Sequence, residues 1–583
     1  MAVLAIGFST INGRVLSKET LQSILNAITI RIESGDDLKV VIKELINVIQ
    51  ELYAELERTR ERDRFLEGEL QKRKREKSSQ LGAPGEAGDH RAKKNHSSEN
   101  RRKGDRGNES GPPGRRGRKS KADLVIDETR RCTLDRGELP PDAQYKGVAR
   151  IVMRELVIEP RNIEFEREVY YSPSEGKRYM APLPPGWEGE FGPALKTGVV
   201  TLKYDGGMSE SGIVRFLQGH EFEISSGSVS NILLRSGEFF HEEKSAIMYE
   251  GYRSGSCAQS DDTAAKVMGK HWHTHVVCNE TFTAYFTREG KDRMTVIDVL
   301  LGREASQRRY RYTGLTAELL KIFGVSELQR ERLAGLVEAD LDYDEEGMNA
   351  VLSEQFGEKA GSAQAAASIR EAMALSHFHE QDEIPFPETL VTDAAPQYEL
   401  LALHHAACWI HDGRHYEKLE PLSEEFREEL ERFRKRYWKL YHELAAWRDP
   451  PKRRTKRNRS QEAKRLEGKF DRLFGTRSGY RELEDRIAKT RAKKEKLLVV
   501  LKKPQVPLHN NASELGARRA ARRRDISLHS RSVRGVDAMD ALTTVVETCR
   551  KIGVRVGQYI FDRFCGLRSE EGLSSHIASK SAS

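Results

Sequence analysis

Along the first part of the chain, Leu38, Leu45, Leu52 and Leu66 recur at one heptad position and Ile42, Ile49, Leu56 and Leu70 at another, with Thr59 and Asp63 interrupting the seam. An apolar stripe that repeats every 3.5 residues keeps facing a partner helix, so residues 36–75 are expected to form a coiled coil through which the chain self-associates. A single amphipathic helix docked on its own protein has the same pattern. A helical segment over 1–35 precedes it. From 76 to 122 aliphatic residues almost vanish, and a run rich in Gly, Ser, Asn, Arg and Lys, including GPPGRRGRKSK, leaves nothing to bury. That composition predicts a disordered linker. Alternation then returns in VARIVMRELVIEP and IEFEREVYYSPSEGKRYMAPLP, which predicts a small β-rich module over 123–200 with a hairpin at Ser174-Glu175-Gly176.

Over 201–250 the apolar spacing becomes helical. Ser209 to Gln218 and Ser226 to Arg235 read as two short helices, and Ile213, Phe216, Leu217, Ile224, Val229, Ile232 and Leu233 fall where crossing helices would share a core. With Ser226 as cap of the second helix, this is a helix-turn-helix that would present Ser226, Ser228, Asn231 and Arg235 to DNA. A helical hairpin of any globular domain has the same pattern.

Residues 251–419 change texture. CAQSDDTAAKV, HWHTHVVCN and ETFTAYFT read as three closely spaced strands of an antiparallel meander, and RMTVIDVLLG as a helix returning across it. PETLVTDAAPQ reads as a fourth, buried strand ending at Asp393, YELLALHHAA as helical, and AACWIH as a possible fifth strand. Long Glu/Arg/Lys-rich helices with solvated charged faces, broken at Pro450-Pro451, fill 420–500. Over 501–570, Asn510-Asn511 signals a helix start with Glu514 in its first turn, followed by further helices, and 571–583 is expected to be a disordered tail.

At 583 residues the chain calls for about three or four folded units. Charged residues at 32% against 37% hydrophobic, with no apolar run long enough to span a bilayer, exclude a polytopic membrane protein. The N-terminal residues lack the pattern of a secretory signal, so a cytoplasmic location is expected. Six cysteines without a Cys-x-x-Cys pair argue against a disulfide framework and an ordinary zinc ribbon. The net charge of +8 is local: Lys72 to Ala122 holds 17 Lys/Arg against 6 Asp/Glu, an excess of +11 that leaves −3 for the rest. A cationic tail of this kind seeks a polyanion, and nucleic acid fits better than membrane where acyl-anchor motifs are lacking.

Three acids stand out. Asp261 and Asp262 lie in a strand where apolar residues would pack better, and Asp393 stands at a strand exit, a place where Asp also serves as a turn former. Were the first and fourth strands neighbours, Asp261 and Asp393 would converge, which requires a cation between them. Glu514 suits a helix N-terminus for dipole reasons alone, but Arg518, Arg519, Arg522, Arg523 and Arg524 beside it are suited to phosphate. The three acids together make an oxygen cage of the kind that holds two Mg²⁺ ions for in-line phosphoryl transfer. Cys408 and His411 could supply two zinc ligands, but no second pair stands nearby; Cys408 and Trp409 are expected to pack the core, with His411, Arg414 and His415 at the rim.

Ser260-Asp261-Asp262-Thr263, Val391-Thr392-Asp393-Ala394, Cys408-Trp409-Ile410-His411 with Gly413-Arg414, and Asn510-Asn511-x-x-Glu514 resemble, in order and spacing, the insertion sequence sixty-six family of DDE transposases. With the zipper, linker and helix-turn-helix, the resemblance spans most of 36–570. It implies an α/β, ribonuclease-H-like catalytic core with a mixed sheet and a large helical insertion, in which Asp261, Asp393 and Glu514 bind two Mg²⁺, replaceable by Mn²⁺. Asp262, His411, Arg414, Asn510 and Asn511 would rim the site, and Arg518, Arg519, Arg522 and Arg523 would meet DNA. The implied activity is nicking at the 3′ ends of an element and strand transfer into target DNA. Implied partners are double-stranded DNA, further copies of the chain and accessory proteins of the same element, in association with a bacterial nucleoid. A catalytically inactive DNA-binding regulator derived from a transposase is the rival. The chain departs from many members in three ways: only Cys132 stands where they carry a zinc module, so no zinc is expected; His509 replaces an aspartate; and Asp262 stands where Glu is frequent.

Overall fold

The computed structural model describes residues 42, 46–49, 125–134, 140, 143–357, 363–449, 456–527, 530–567 and 572–582. Most of the expected coiled coil and all of the linker 76–122 lie outside them, as does the Pro450-Pro451 break. The chain divides into two compact units, one of 85–232 with 553–566, the other of 1–84, 233–552 and 567–583.

In the first of these, β1 (Val169–Ser172) and β2 (Lys177–Met180) pair antiparallel with Ser172 opposite Lys177, and Gly176 supplies the positive φ of the turn. The expected β-rich module is reduced to this hairpin. Ile151, Met153, Leu156 and Val157 are exposed, because their alternating stretch has no partner strand among the described residues. Helix α1 (Pro193–Val200) opens with proline, whose missing N–H costs nothing at that position. In α2 (Glu210–Gln218) the Ser209 hydroxyl accepts from Gly212 N–H. Glu221 takes a left-handed φ of 63° in the connection, and α3 (Ser226–Phe239) follows. The cap of α3 is Ser225 rather than Ser226: its Oγ accepts from Ser228 N–H at 3.0 Å. Ile213, Leu217, Ile224, Val229 and Ile232 are buried, while Ser226, Asn231 and Arg235 are exposed and Ser228 half-buried.

The other unit begins at α4 (His241–Ser254) and contains a mixed five-stranded sheet. Strands β3 (Ala258–Val267), β4 (Lys270–Cys278) and β5 (Thr283–Arg288) form the expected antiparallel meander, followed by α5 (Arg293–Leu301). Asp292 caps α5, accepting from Thr295 N–H. A short ribbon of β6 (Tyr310–Arg311) and β7 (Asp342–Tyr343) is accompanied by α6 (Gly314–Ile322), α7 (Glu327–Leu336), α8 (Glu345–Phe356) and α9 (Gln364–Glu380). Strands β8 (Thr389–Thr392) and β9 (His404–Ala407) then join parallel to β3, giving the order β5-β4-β3-β8-β9. The stretch read as helical, YELLALHHAA, is instead a 3₁₀ turn at Pro396–Tyr398, a left-handed Leu400 and the whole of β9. Cys408-Trp409-Ile410-His411 opens helix α10 (Trp409–Glu417) instead of extending the strand.

Helices α11 (Glu424–Arg448), α12 (Lys456–Phe474) and α13 (Arg481–Ala492) form the helical block. On α11, Phe426, Leu430, Phe433, Tyr437, Leu440, Leu444 and Trp447 recur at alternating spacings of four and three and are all buried, which places the charged residues between them outward. They share a core with Phe470, Phe474, Leu483 and Ile487 and with Trp409 and Tyr416 of α10. Residues 46–49 are helical and lie on this block. Asn47 donates to Gly479 O at 2.9 Å and accepts from Arg481 N–H at 3.1 Å, while Ile42 and Ile49, both seam positions, are exposed.

The short turns α14 (Lys494–Leu497) and α15 (Val499–Lys502) lead to α16 (Asn511–Ser527) and α17 (Val533–Ile552). Helix α17 covers the sheet edge. The outward N–H groups of Thr283, Tyr285 and Thr287 on β5 donate to Thr548 Oγ1, Thr544 Oγ1 and Asp540 Oδ2, at 3.3, 3.1 and 2.6 Å. Two residues of strand advance about 6.8 Å and four residues of helix about 6 Å, so side chains at i, i+4 and i+8 meet alternate strand amides. An edge that would otherwise pair with another chain is satisfied internally. Helix α18 (Val556–Phe564) belongs to the smaller unit. The tail expected to be disordered forms α19 (Leu573–Ala582), because Leu573 and Ile577 are fully buried and Leu573 N–H donates to Glu243 of α4.

Candidate active site

Strand alternation decides which of the two adjacent aspartates faces α16. Asp261 stands opposite Val276 on β4, and Val276 opposite Tyr285 on β5, so the three share a face. Helix α16 lies on that face through Gly516: a Cβ there would come 2.7 Å from Val276 Cγ1. Tyr285 OH donates to the Gly516 carbonyl at 3.3 Å. Glu514 is two residues away. Asp262 points to the opposite face, where its Oδ2 is 3.5 Å from His273 Nδ1.

Asp393 is placed by parallel pairing. Gln259 is registered with Val391, and two residues further along each chain stand Asp261 and Asp393, the latter just past the end of β8. Its Oδ1 accepts from Ala395 N–H at 3.0 Å, and Thr392 Oγ1 accepts from Ala394 N–H at 2.9 Å. These two bonds hold Ala394 at a φ of 62°, a conformation costly for a residue with a Cβ.

Glu514, with 13% of its side chain exposed, sits 3.6 Å from His411 Nδ1 and 3.5 Å from Arg414 Nη2. Burial pushes the Asp261 carboxyl up to about 7, and the charges of Asp393, Asp262 and Glu514 push the same way against a hydrogen bond from Asp262 N–H. The carboxylates at the exit of β8 and on α16 thus lie near enough to the Asp261 carboxyl of β3 for their charges to act on it.

Other expected residues fall differently. Asn511 is exposed, and its N–H donates weakly to His509 Nδ1 at 3.4 Å. Arg519 and Arg523 are engaged by Glu547, a buried acid of α17, which Arg550 also meets at 3.0 Å. Arg524 donates to the Ala264 carbonyl, whereas Arg522 is exposed and Arg518 half-buried.

One group was missed by the sequence reading. Asp412 of α10 is buried and bonded to Arg486, to Thr490 Oγ1 at 2.7 Å and to Tyr437 OH at 3.4 Å. Trp409 Nε1 donates to Leu497 O at 2.8 Å. These contacts fix α10 to the helical block, and α10 carries His411 and Arg414 toward Glu514. The clue available in the sequence is that Trp409, Asp412, Gly413 and Tyr416 share one helical face, which puts an acid among buried aromatics.

Residues 358–538 match the model of a family described as Transposase IS66 family. Over that segment the chain is similar to the IS66 transposases. The resemblance read from the motifs is thereby borne out for the segment that carries Asp393, Cys408, His411, Arg414 and Glu514; Asp261 and helices α2 and α3 precede it. A protein of Sinorhizobium fredii described as uncharacterized protein y4jO is 27% identical over 323 residues, covering 54% of this chain and 94% of that one. No solved structure matches. Among the described residues no helix is long and apolar enough to cross a membrane.

Proposed function

We propose that this chain is the transposase of an insertion sequence, which nicks the 3′ ends of its element and joins them to target DNA. The observation that carries the reading is that the charges of Asp393 and Glu514, both in the segment similar to the IS66 transposases, act on Asp261 of the adjoining strand. The order third, second, first, fourth, fifth, with the last two strands parallel to the first, supports reading the sheet as a ribonuclease-H-like core. The acids are the catalytic groups in this reading.

Mg²⁺ fits these residues. The donors are carboxylate oxygens, which suit a hard cation, and the upward push on Asp261 is a charge deficit that a divalent ion would reverse. Asp261, Asp393 and Glu514 would hold it, with Mn²⁺ as substitute. Bound as a pair, such ions would supply activation of the attacking oxygen and charge neutralisation at the leaving oxygen. The chain's own residues supply position. The turn at Ala394 fixes Asp393, Gly516 seats the helix bearing Glu514, and Arg414, 46% exposed, stands where a phosphate oxygen could replace Glu514 as its partner. One phosphodiester is exchanged for another, so no covalent enzyme intermediate and no external energy source are needed.

DNA ends would be held by the exposed face of α3 through Ser226, Asn231 and Arg235 and by the basic linker, and target or end phosphates by Arg518 and Arg522. Two copies joined through the zipper would bring two ends together. Asp393→Ala should still retard a fragment carrying the element ends in a gel while Mg²⁺-dependent nicking falls by roughly 10²–10³-fold or more. A variant that nicks at the wild-type rate would sink the assignment. Retardation without cleavage by the wild-type chain over a full Mg²⁺ and Mn²⁺ titration would favour the regulator.

A further inference from the structure

Glu514 has neighbours of a different chemical kind on its other side. Cys408 occupies the N-cap of α10, His411 lies in its first turn, and Glu514 lies in the first turn of α16. One ligand atom from each residue, the Cys408 sulfur, a ring nitrogen of His411 and a carboxylate oxygen of Glu514, all fall within 4.8 Å of one another. Two backbone bonds hold this meeting in place: Trp409 N–H to Leu508 O at 2.9 Å ties α10 to the segment that opens α16, and Cys408 N–H to Thr392 O at 2.9 Å ties it to β8. Burial pushes the Cys408 thiol up to about 11, against the backbone N–H groups of His411, Asn510 and Ile410 that face the sulfur.

A second observation points to a missing ligand. His411 Nδ1 is buried without a hydrogen-bond partner, since Glu514 Oε1 at 3.6 Å is too distant. Buried polar atoms are seldom left so unless an ion, water or ligand completes them.

We propose that Cys408, His411 and Glu514 bind a thiophilic divalent cation of the Zn²⁺ class, with one coordination position open. A sulfur, a nitrogen and an oxygen from three protein residues plus an exchangeable position is a zinc pattern, whereas Mg²⁺ prefers oxygen alone. Binding exchanges the Cys408 thiol proton, released to solvent, for the metal. Metallation of His411 Nδ1 leaves the ring proton on Nε2, which ends the 3.4 Å contact with Arg414, and that exposed guanidinium turns outward. A second consequence rests on the transposase reading: zinc draws Glu514 toward Cys408 and His411 and competes with the Asp261–Asp393 pocket for its carboxylate, and so inhibits.

The test titrates the full chain, freed of metal, with Co²⁺ as the spectroscopic stand-in for Zn²⁺. A thiolate-to-cobalt charge-transfer band should appear at one equivalent, yield to Zn²⁺ and resist a large excess of Mg²⁺. Cys408→Ser should abolish it. If that variant does not fold, His411→Ala must weaken Co²⁺ affinity at least tenfold. Absence of the band in the wild type, its survival in Cys408→Ser, or unaltered affinity in His411→Ala overturns the site. Equimolar Zn²⁺ should also slow Mg²⁺-dependent nicking by the wild type but not by Cys408→Ser, each measured against its own zinc-free rate. Cobalt binding without any nicking activity would leave the metal site standing and remove the transposase reading instead.

Discussion

At the residue scale, the pair Asp261-Asp262 shows how one step along a strand separates two chemically identical side chains. Successive side chains point to opposite faces, so Asp261 lies with Val276 and Tyr285 beneath α16 while Asp262 meets His273. Asp261→Asn should therefore abolish nicking, whereas Asp262→Asn should change its rate by no more than about tenfold, within the range of a general electrostatic neighbour. Equal losses in a plasmid-nicking assay would show that strand direction does not assign the roles. Gly516 is the second decisive residue. Its α-carbon faces Val276 so closely that a branched side chain must lift α16 from the sheet. Gly516→Val is expected to lose about 1–3 kcal/mol in denaturant unfolding and to lower cleavage further by displacing Glu514.

At the element scale, α10 is the joint between the helical block and the candidate site. Asp412 and Arg486 form a buried ion pair whose two charges are affordable only together. Asp412→Ala should cost about 3–5 kcal/mol, and the double variant Asp412→Ala/Arg486→Met should recover much of that loss. If Asp412→Ala left both stability and nicking unaltered, α10 would not need this brace. The same joint explains what the sequence reading of this region got right and wrong. The Glu/Arg/Lys-rich composition of 420–500 announced long helices with solvated charged faces, and α11 is one of them, with seven large apolar side chains buried along one stripe. The run Tyr398 to Ala407 has equally apolar composition, but it must return from the end of β8 to the beginning of a parallel neighbour in a few residues. Pairing with β8 therefore overrode local helix preference. Helix α19 was missed for a related reason: its composition, Leu573-Ser574-Ser575-His576-Ile577, carries only two large apolar side chains, and both become stabilising only because α4 offers a place to bury them.

At the scale of the whole molecule, the positive charge is concentrated in one stretch of sequence, with 17 Lys/Arg against 6 Asp/Glu between 72 and 122 and a net −3 elsewhere. Deleting 76–122 should weaken binding to every DNA sequence by a similar factor and flatten the dependence of log affinity on log salt concentration. An unchanged slope in a filter-binding series would assign DNA attraction to the folded helices instead. The amphipathic seam before that linker was read as a partner-seeking coil or as a helix docked on its own chain. Most of that seam lies outside the described residues; within them Asn47 is bonded to the helical block, and Ile42 and Ile49 are exposed.

The sequence alone determined the kind and order of the long, clearly periodic elements and the chemical candidates. Hydrophobic period distinguishes strand from helix wherever a segment is long enough to repeat, and Asp, Glu, Arg, Cys and His announce their chemistry regardless of fold. Only the tertiary structure decided which candidates meet. It turned Asp261 inward and Asp262 away, committed Arg519 and Arg523 to Glu547, buried Asn510, and brought Cys408 and His411 to Glu514 across more than a hundred residues. Those outcomes depend on register, on which face of a sheet a helix covers and on which buried charge finds a partner. They are set by contacts between distant segments, and no local pattern records them.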